Sequence, residues 1–144
     1  RHHRDGVQHS RPRPAHRRRG EAAATGERQG QHQLVRQVPV AEEIARYAVR
    51  IAAASRPRSG GSPDYVKDWV TWGAGTRAGQ NLILGAKSRV LLQGRTHVTV
   101  DDVRALAVPV LRHRILLNYR AEAEGIQVEE VIRRLLETVP APLA

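Results

Sequence analysis

Cysteine is absent from this chain of 144 residues, which excludes disulfides, thiolate metal sites and thiol nucleophiles together. Methionine is absent too, and the first residue is Arg1. Such a chain is not expected to be an intact primary translation product, so an upstream segment is expected to be missing, by processing or by truncation. No uninterrupted apolar run approaches the roughly 18 residues that span a bilayer. The N-terminus also lacks the apolar stretch of a secretory signal, so the sequence reads as a soluble, cytoplasmic protein. Its length suits one domain of ordinary size and not two well-cored ones.

Catalytic motifs are missing as well. A phosphate-binding loop needs Gly-x-x-x-x-Gly-Lys-Ser/Thr, because backbone donors must cradle the phosphates and a lysine must reach them. No such run is present, no acidic cluster ends a hydrophobic strand to hold Mg²⁺, and neither G-x-S-x-G nor H-E-x-x-H occurs. Taken alone, the polypeptide has no self-sufficient catalytic constellation.

What the sequence does have is positive charge: 24 Lys and Arg against 14 Asp and Glu, a formal balance of +10. That balance invites a nucleic-acid reading. The excess is unevenly placed, however. Residues 1–37 hold nine arginines against Asp5, Glu21 and Glu27, a balance of +6, which leaves +4 for residues 38–144. From Arg1 to about Gln33 almost no side chain could be buried, so ordering this segment would cost entropy that nothing offsets. Residues 1–37 therefore read as a disordered basic tail. Five of the seven histidines lie in it (His2, His3, His9, His16 and His32), without a spacing that places them on one face, so no metal site is expected. The Arg/His/Gly/Pro/Ala bias also resembles out-of-frame translation of GC-rich DNA. A coding sequence with no alternative frame that continues a helical pattern upstream of Leu34 would rule that origin out.

Residues 38–144 read as helices. Ile44, Tyr47, Ala48 and Ile51 recur at helical spacing, with Glu42, Glu43, Arg46 and Arg50 opposite, which describes an amphipathic helix. The early acids suit the helix dipole, and Glu42 with Arg46 forms an i,i+4 pair. Ser59-Gly60-Gly61-Ser62-Pro63 is a connection, and Asp64 to Thr71 a short helix presenting Tyr65, Trp69 and Trp72. The apolar stretch from Ala78 to Leu92 has apolar residues on more than one face and reads as the central helix, with Gly85 marking close packing. Thr99 and Asp102 form a variant capping box. Val103, Leu106, Ala107 and Val110 share one face of the next helix, where Pro109 removes a backbone donor and predicts a kink. The last helix carries Val128, Val131, Ile132, Leu135, Leu136 and Val139 in register and stops at Pro140. About five helices, with no convincing strand or hairpin signal, predict a small all-α bundle.

Four runs in order then carry a resemblance: WGAGTRA from Trp72 to Ala78, AKSRVLLQGR from Ala86 to Arg95, VTVDDV from Val98 to Val103, and VLRHRI from Val110 to Ile115. Together they closely resemble the C-terminal lid of MoxR-type AAA+ ATPases, over about Val38 to Val139. The resemblance implies a lid that closes over ATP and Mg²⁺ bound by an AAA+ core domain outside this chain. It also implies a homo-oligomeric ring and chaperone-like maturation of partner complexes. Arg77 matches the family's sensor 2 arginine, and Gly73 and Ala74 fall near the nucleotide. A guanidinium on a mobile lid could neutralise charge that grows on the terminal phosphates, an effect worth on the order of a thousandfold in rate. Many relatives have Ser-Pro where this chain has Gly75-Thr76.

Plainer readings stand beside these. Arg77 could be a solvated cation at a helix N-terminus, mildly disfavoured by the dipole. Trp69 and Trp72 read as core anchors before adenine contacts, because few other large rings are available to fill the interior. Arg112, His113 and Arg114 fit a capped corner, a subunit contact or a nucleotide-proximal site. The alternative function is a small basic module binding nucleic acid non-specifically through Arg11 to Arg19, weakening steeply with salt. The tail has no aromatic residue to stack on bases, which counts against it.

Overall fold

The computed structural model describes residues 28, 30 and 33–143. The expectations of disorder, of scattered histidines and of an out-of-frame origin for the N-terminal segment fall almost wholly outside the described residues. The chain packs as two units, residues 1–33 and 34–144, and the second is described below. Residues 34–37 are already helical.

From residue 42 onward the order is α1 (Glu42–Ala54), α2 (Asp64–Trp69), β1 (Val70–Trp72), α3 (Arg77–Leu92), α4 (Val100–Leu111), β2 (Leu116–Leu117), α5 (Tyr119–Ala123) and α6 (Val128–Thr138). The helical class read from periodicity is correct. One feature is not all-α: β1 and β2 pair antiparallel, Val70 with Leu117 and Trp72 with Leu116, with an irregularity between them. Two or three residues per strand carry too little alternation to be read locally. The helix starting at Asp64 accordingly ends at Trp69 and not at Thr71.

The core is built as the spacing predicts for the outer helices. α1 buries Tyr47, Ala48, Ile51 and Ala52, and α6 buries Val131, Ile132 and Leu135. α3 is central in that it packs against both α1 and α4, yet it is not apolar all round. It buries a stripe of Ala78, Gly79, Leu82, Ala86 and Val90 and leaves Leu84, Leu91 and Leu92 exposed. Small residues make this possible. A Cβ on Gly79 would lie 3.2 Å from the Val49 backbone of α1, and one on Gly85 2.9 Å from the Leu106 side chain of α4, so the helices approach closely at both points. α4 runs through Pro109. Gly94 and Gly125, with φ of 67° and 71°, end α3 and α5 in the left-handed region, where only glycine is unstrained.

The two tryptophans diverge. Trp69 is 9% exposed and belongs to the core, whereas Trp72 is 62% exposed, so the expectation that both anchor the interior holds for Trp69 alone. Regular alternation would put Trp72 on the face of buried Val70, but the register is irregular between the two and the indole lies exposed. Trp69 donates from Nε1 to Glu124 Oε2 at 2.9 Å, and the Arg134 guanidinium stacks 4.8 Å from its ring centroid. Tyr65 meets Thr138 through a 3.0 Å hydroxyl contact. This cluster ties α2 to α5 and α6.

Candidate functional site

The loop from Gly73 to Thr76 joins β1 to α3 and is clamped from the side of α1. The Ser55 hydroxyl, fully buried, donates to the Ala52 carbonyl at 2.6 Å and accepts the Ala74 amide at 2.9 Å. Arg56 Nε donates to the Ala74 carbonyl at 2.7 Å, and Ser62 Oγ donates to the Arg56 carbonyl. A Cβ on Gly73 would lie 2.4 Å from the Ser55 carbonyl oxygen, so only glycine lets these two backbones touch. On the other side Asn118 donates its backbone amide to the Trp69 carbonyl at 2.8 Å and its side-chain amide to the Asp68 carbonyl at 2.6 Å. Asn118 also caps α5 through Ala121.

This frame separates the sequence-nominated residues. Ala74 is fully buried and both its backbone polar groups are engaged within the chain. Gly73 and Ala74 therefore hold the loop in place. Gly75, Thr76 and Arg77 emerge on the surface. Arg77 is the first residue of α3, and no side chain caps that helix. A Cβ at Gly75 would meet nothing within 4 Å, so space is open in front of the turn. An exposed guanidinium beside an uncapped first turn, whose amides also attract anions, fits a phosphate group.

Arg112, His113 and Arg114 are exposed at the end of α4. Arg114 donates to the Val110 carbonyl at 2.6 Å and Arg112 Nε to His113 Nε2 at 3.3 Å, which gives the capped-corner reading a concrete form. Among the described residues no group of three or more His, Cys, Asp or Glu side chains converges as a metal site requires, and no helix is long and apolar enough to cross a membrane.

Sequence reasoning missed the partners of Asp102. Its carboxylate is fully buried and forms the capping box with Thr99. It also accepts from Arg89 at 2.6 Å and from Arg95, whose second bond measures 3.1 Å. Burial alone would push its pKa up, but hydrogen bonds from Arg95, the Thr99 amide and Arg89 outweigh burial and hold it well below the usual carboxylate range. The run from Ala86 to Arg95 and the run from Val98 to Val103 are thus halves of one latch between α3 and α4.

Comparison with known proteins follows this geometry. The family model of the AAA lid domain matches residues 62–135. Chaperone MoxR1 of Mycobacterium tuberculosis is 43% identical over 100 residues, 69% of this chain and 26% of its own length. Protein MoxR of Methylorubrum extorquens is 38% identical over 74 residues, 51% of this chain and 22% of its own. The chain thus spans about a quarter of the length of these curated relatives. A crystal structure of a Cytophaga hutchinsonii protein, assigned provisionally as an ATPase, superposes with a TM-score of 0.71 at 31% identity, covering 77% of this chain and 34% of that one. Fold, family match and relatives agree: this chain belongs to the AAA lid domain family, in its MoxR-type AAA+ branch.

Proposed function

We propose that residues 38–144 form the lid of a MoxR-type AAA+ ATPase and close over ATP held by a core domain outside this chain, with Arg77 as the sensor 2 arginine. The observation that carries this reading is the presentation of Arg77: exposed, at an uncapped helix start, on a loop fixed by Ser55, Arg56 and Gly73. A fixed loop limits how far the guanidinium must reorganise when charge grows on the terminal phosphates, which is where preorganised donors contribute most. ATP with Mg²⁺ supplies the scissile phosphoanhydride, and the phosphate loop and Mg²⁺ ligands belong to the core domain. Gly73 and Ala74 act near the nucleotide by setting the path of the loop.

By the same reading the complete protein assembles as a homo-oligomeric ring in the cytoplasm. Its lid passes the nucleotide state on to chaperone-like maturation of partner complexes. The mixed charges of the helices give no separate support to nucleic-acid binding.

Arg77→Ala in the complete ATPase tests the proposal. Its side chain is exposed, so ATP turnover is expected to fall by on the order of a thousandfold while the thermal unfolding midpoint stays within about 2 °C. Unchanged turnover would overturn the assignment.

A further inference from the structure

Trp72 does none of the packing that Trp69 does. It is 62% exposed at the end of β1, where its strand partner Leu116 is exposed as well. The Arg58 guanidinium, on the connection after α1, lies 5.9 Å from its ring centroid. These two residues, with Pro57, Thr71, Gly73 and Gly75, line a cleft of about 230 Å³. The wall of the cleft is the same loop that carries Arg77.

Cations without a carboxylate partner among the described residues occur here, as they do elsewhere at Arg50, Arg104, Arg112 and Arg114. Arg89, Arg95, Arg120, Arg133 and Arg134 are all paired with carboxylates. Arg56, Arg58 and Arg77, around the cleft and its loop, form no ion pair among the described residues. A planar aromatic face beside cations that no carboxylate neutralises is the chemistry that takes a nucleotide: the π-face for the base, the cations for the phosphates. Trp72 and Arg77 are five residues apart, so their Cα atoms are at most about 18 Å from each other. Both therefore sit on one short segment of the chain.

We infer that Trp72, backed by Arg58, is the platform on which the nucleotide base stacks when the lid closes, and so a base-positioning residue in addition to Arg77. This inference rests on the ATP-lid reading and adds to it the side chain that meets the base. Stacking acts on substrate and product alike, so its loss should appear in affinity more than in the chemical step.

The experiment compares Trp72→Ala, Trp72→Phe and Arg77→Ala in the full-length ATPase that carries this lid, with ADP affinity read by calorimetry and MgATP turnover by steady-state kinetics. Trp72→Ala is expected to weaken ADP binding and raise KM for MgATP by about tenfold, with kcat within about twofold. Trp72→Phe, which keeps an aromatic face, should stay within about threefold of wild type. Unchanged ADP affinity in Trp72→Ala overturns the inference, and so does an equal loss in both Trp72 variants accompanied by a change in native mass, which would mark Trp72 as a protein contact. The Arg77→Ala arm separates the two readings. A fall in kcat there with normal ADP affinity in Trp72→Ala rejects the base platform and keeps the lid, whereas no effect from either variant rejects both.

Discussion

Asp102 shows at the scale of one residue how a family motif can be structural. It caps α4 and accepts from two arginines on and just after α3, while its own carboxylate is sealed from water. Removing one partner of a buried pair typically costs about 3–5 kcal/mol. Here the cost is lower, because Arg89 and Arg95 each keep about a third of their side-chain surface in solvent and can rehydrate. Asp102→Ala is expected to destabilise the domain by roughly 2–3 kcal/mol, measured by urea unfolding. The pH dependence has a definite sign. A carboxylate whose pKa is depressed on folding contributes stability in full above its unfolded value, about 4, and loses it as the pH falls further. Stability should therefore drop below about pH 4 in the wild type, and the drop should be shallower in Asp102→Asn. Periodicity exposes Asp102 as a cap, but it says nothing of Arg89 and Arg95, because their contact depends on how α3 and α4 pack.

Among the elements, the connection between β1 and α3 matters most. Its glycines look alike in sequence and differ in three dimensions. A methyl group at Gly73 would fall 2.4 Å from a backbone oxygen that cannot step aside, while one at Gly75 would meet nothing. Gly73→Ala is expected to cost about 1–3 kcal/mol and to lower ATP turnover of the complete protein by displacing Arg77. Gly75→Ala should leave the unfolding midpoint within about 2 °C of wild type. Thermal unfolding of the two variants side by side checks both expectations. The helices were legible because each holds its own signal at i, i+3 and i+4. The β1–β2 pair was not, since a strand of two or three residues is defined by its partner and not by its own pattern.

For the whole molecule, the bundle is organised around α3, whose small residues admit α1 on one side and α4 on the other. Leu82 is fully buried at this junction. Leu82→Ala is expected to cost about 3 kcal/mol through lost transfer energy and a residual cavity. In a domain of this size that lowers the unfolding midpoint on the order of 15 °C, which differential scanning calorimetry would register. The exposed Leu84 and Leu91 lie across α3 from its buried stripe, and Leu92 is its last residue, so the apolar residues that the sequence places on more than one face are divided between a packed stripe and a solvent face.

The sequence by itself determined the helical class, most helix boundaries, the Thr99–Asp102 cap and the position of Arg77 at a helix start. All of these are local: they depend on side chains within one or two turns of each other. Tertiary structure alone decided the rest. The Ser55–Ala74 clamp joins residues 19 apart, and the Trp69–Glu124 bond joins residues 55 apart. Whether a buried carboxylate finds two guanidiniums, or an indole finds a core or a cleft, depends on the path of the chain between them. No window of neighbouring residues contains that information, because burial and pairing are properties of the space the helices enclose.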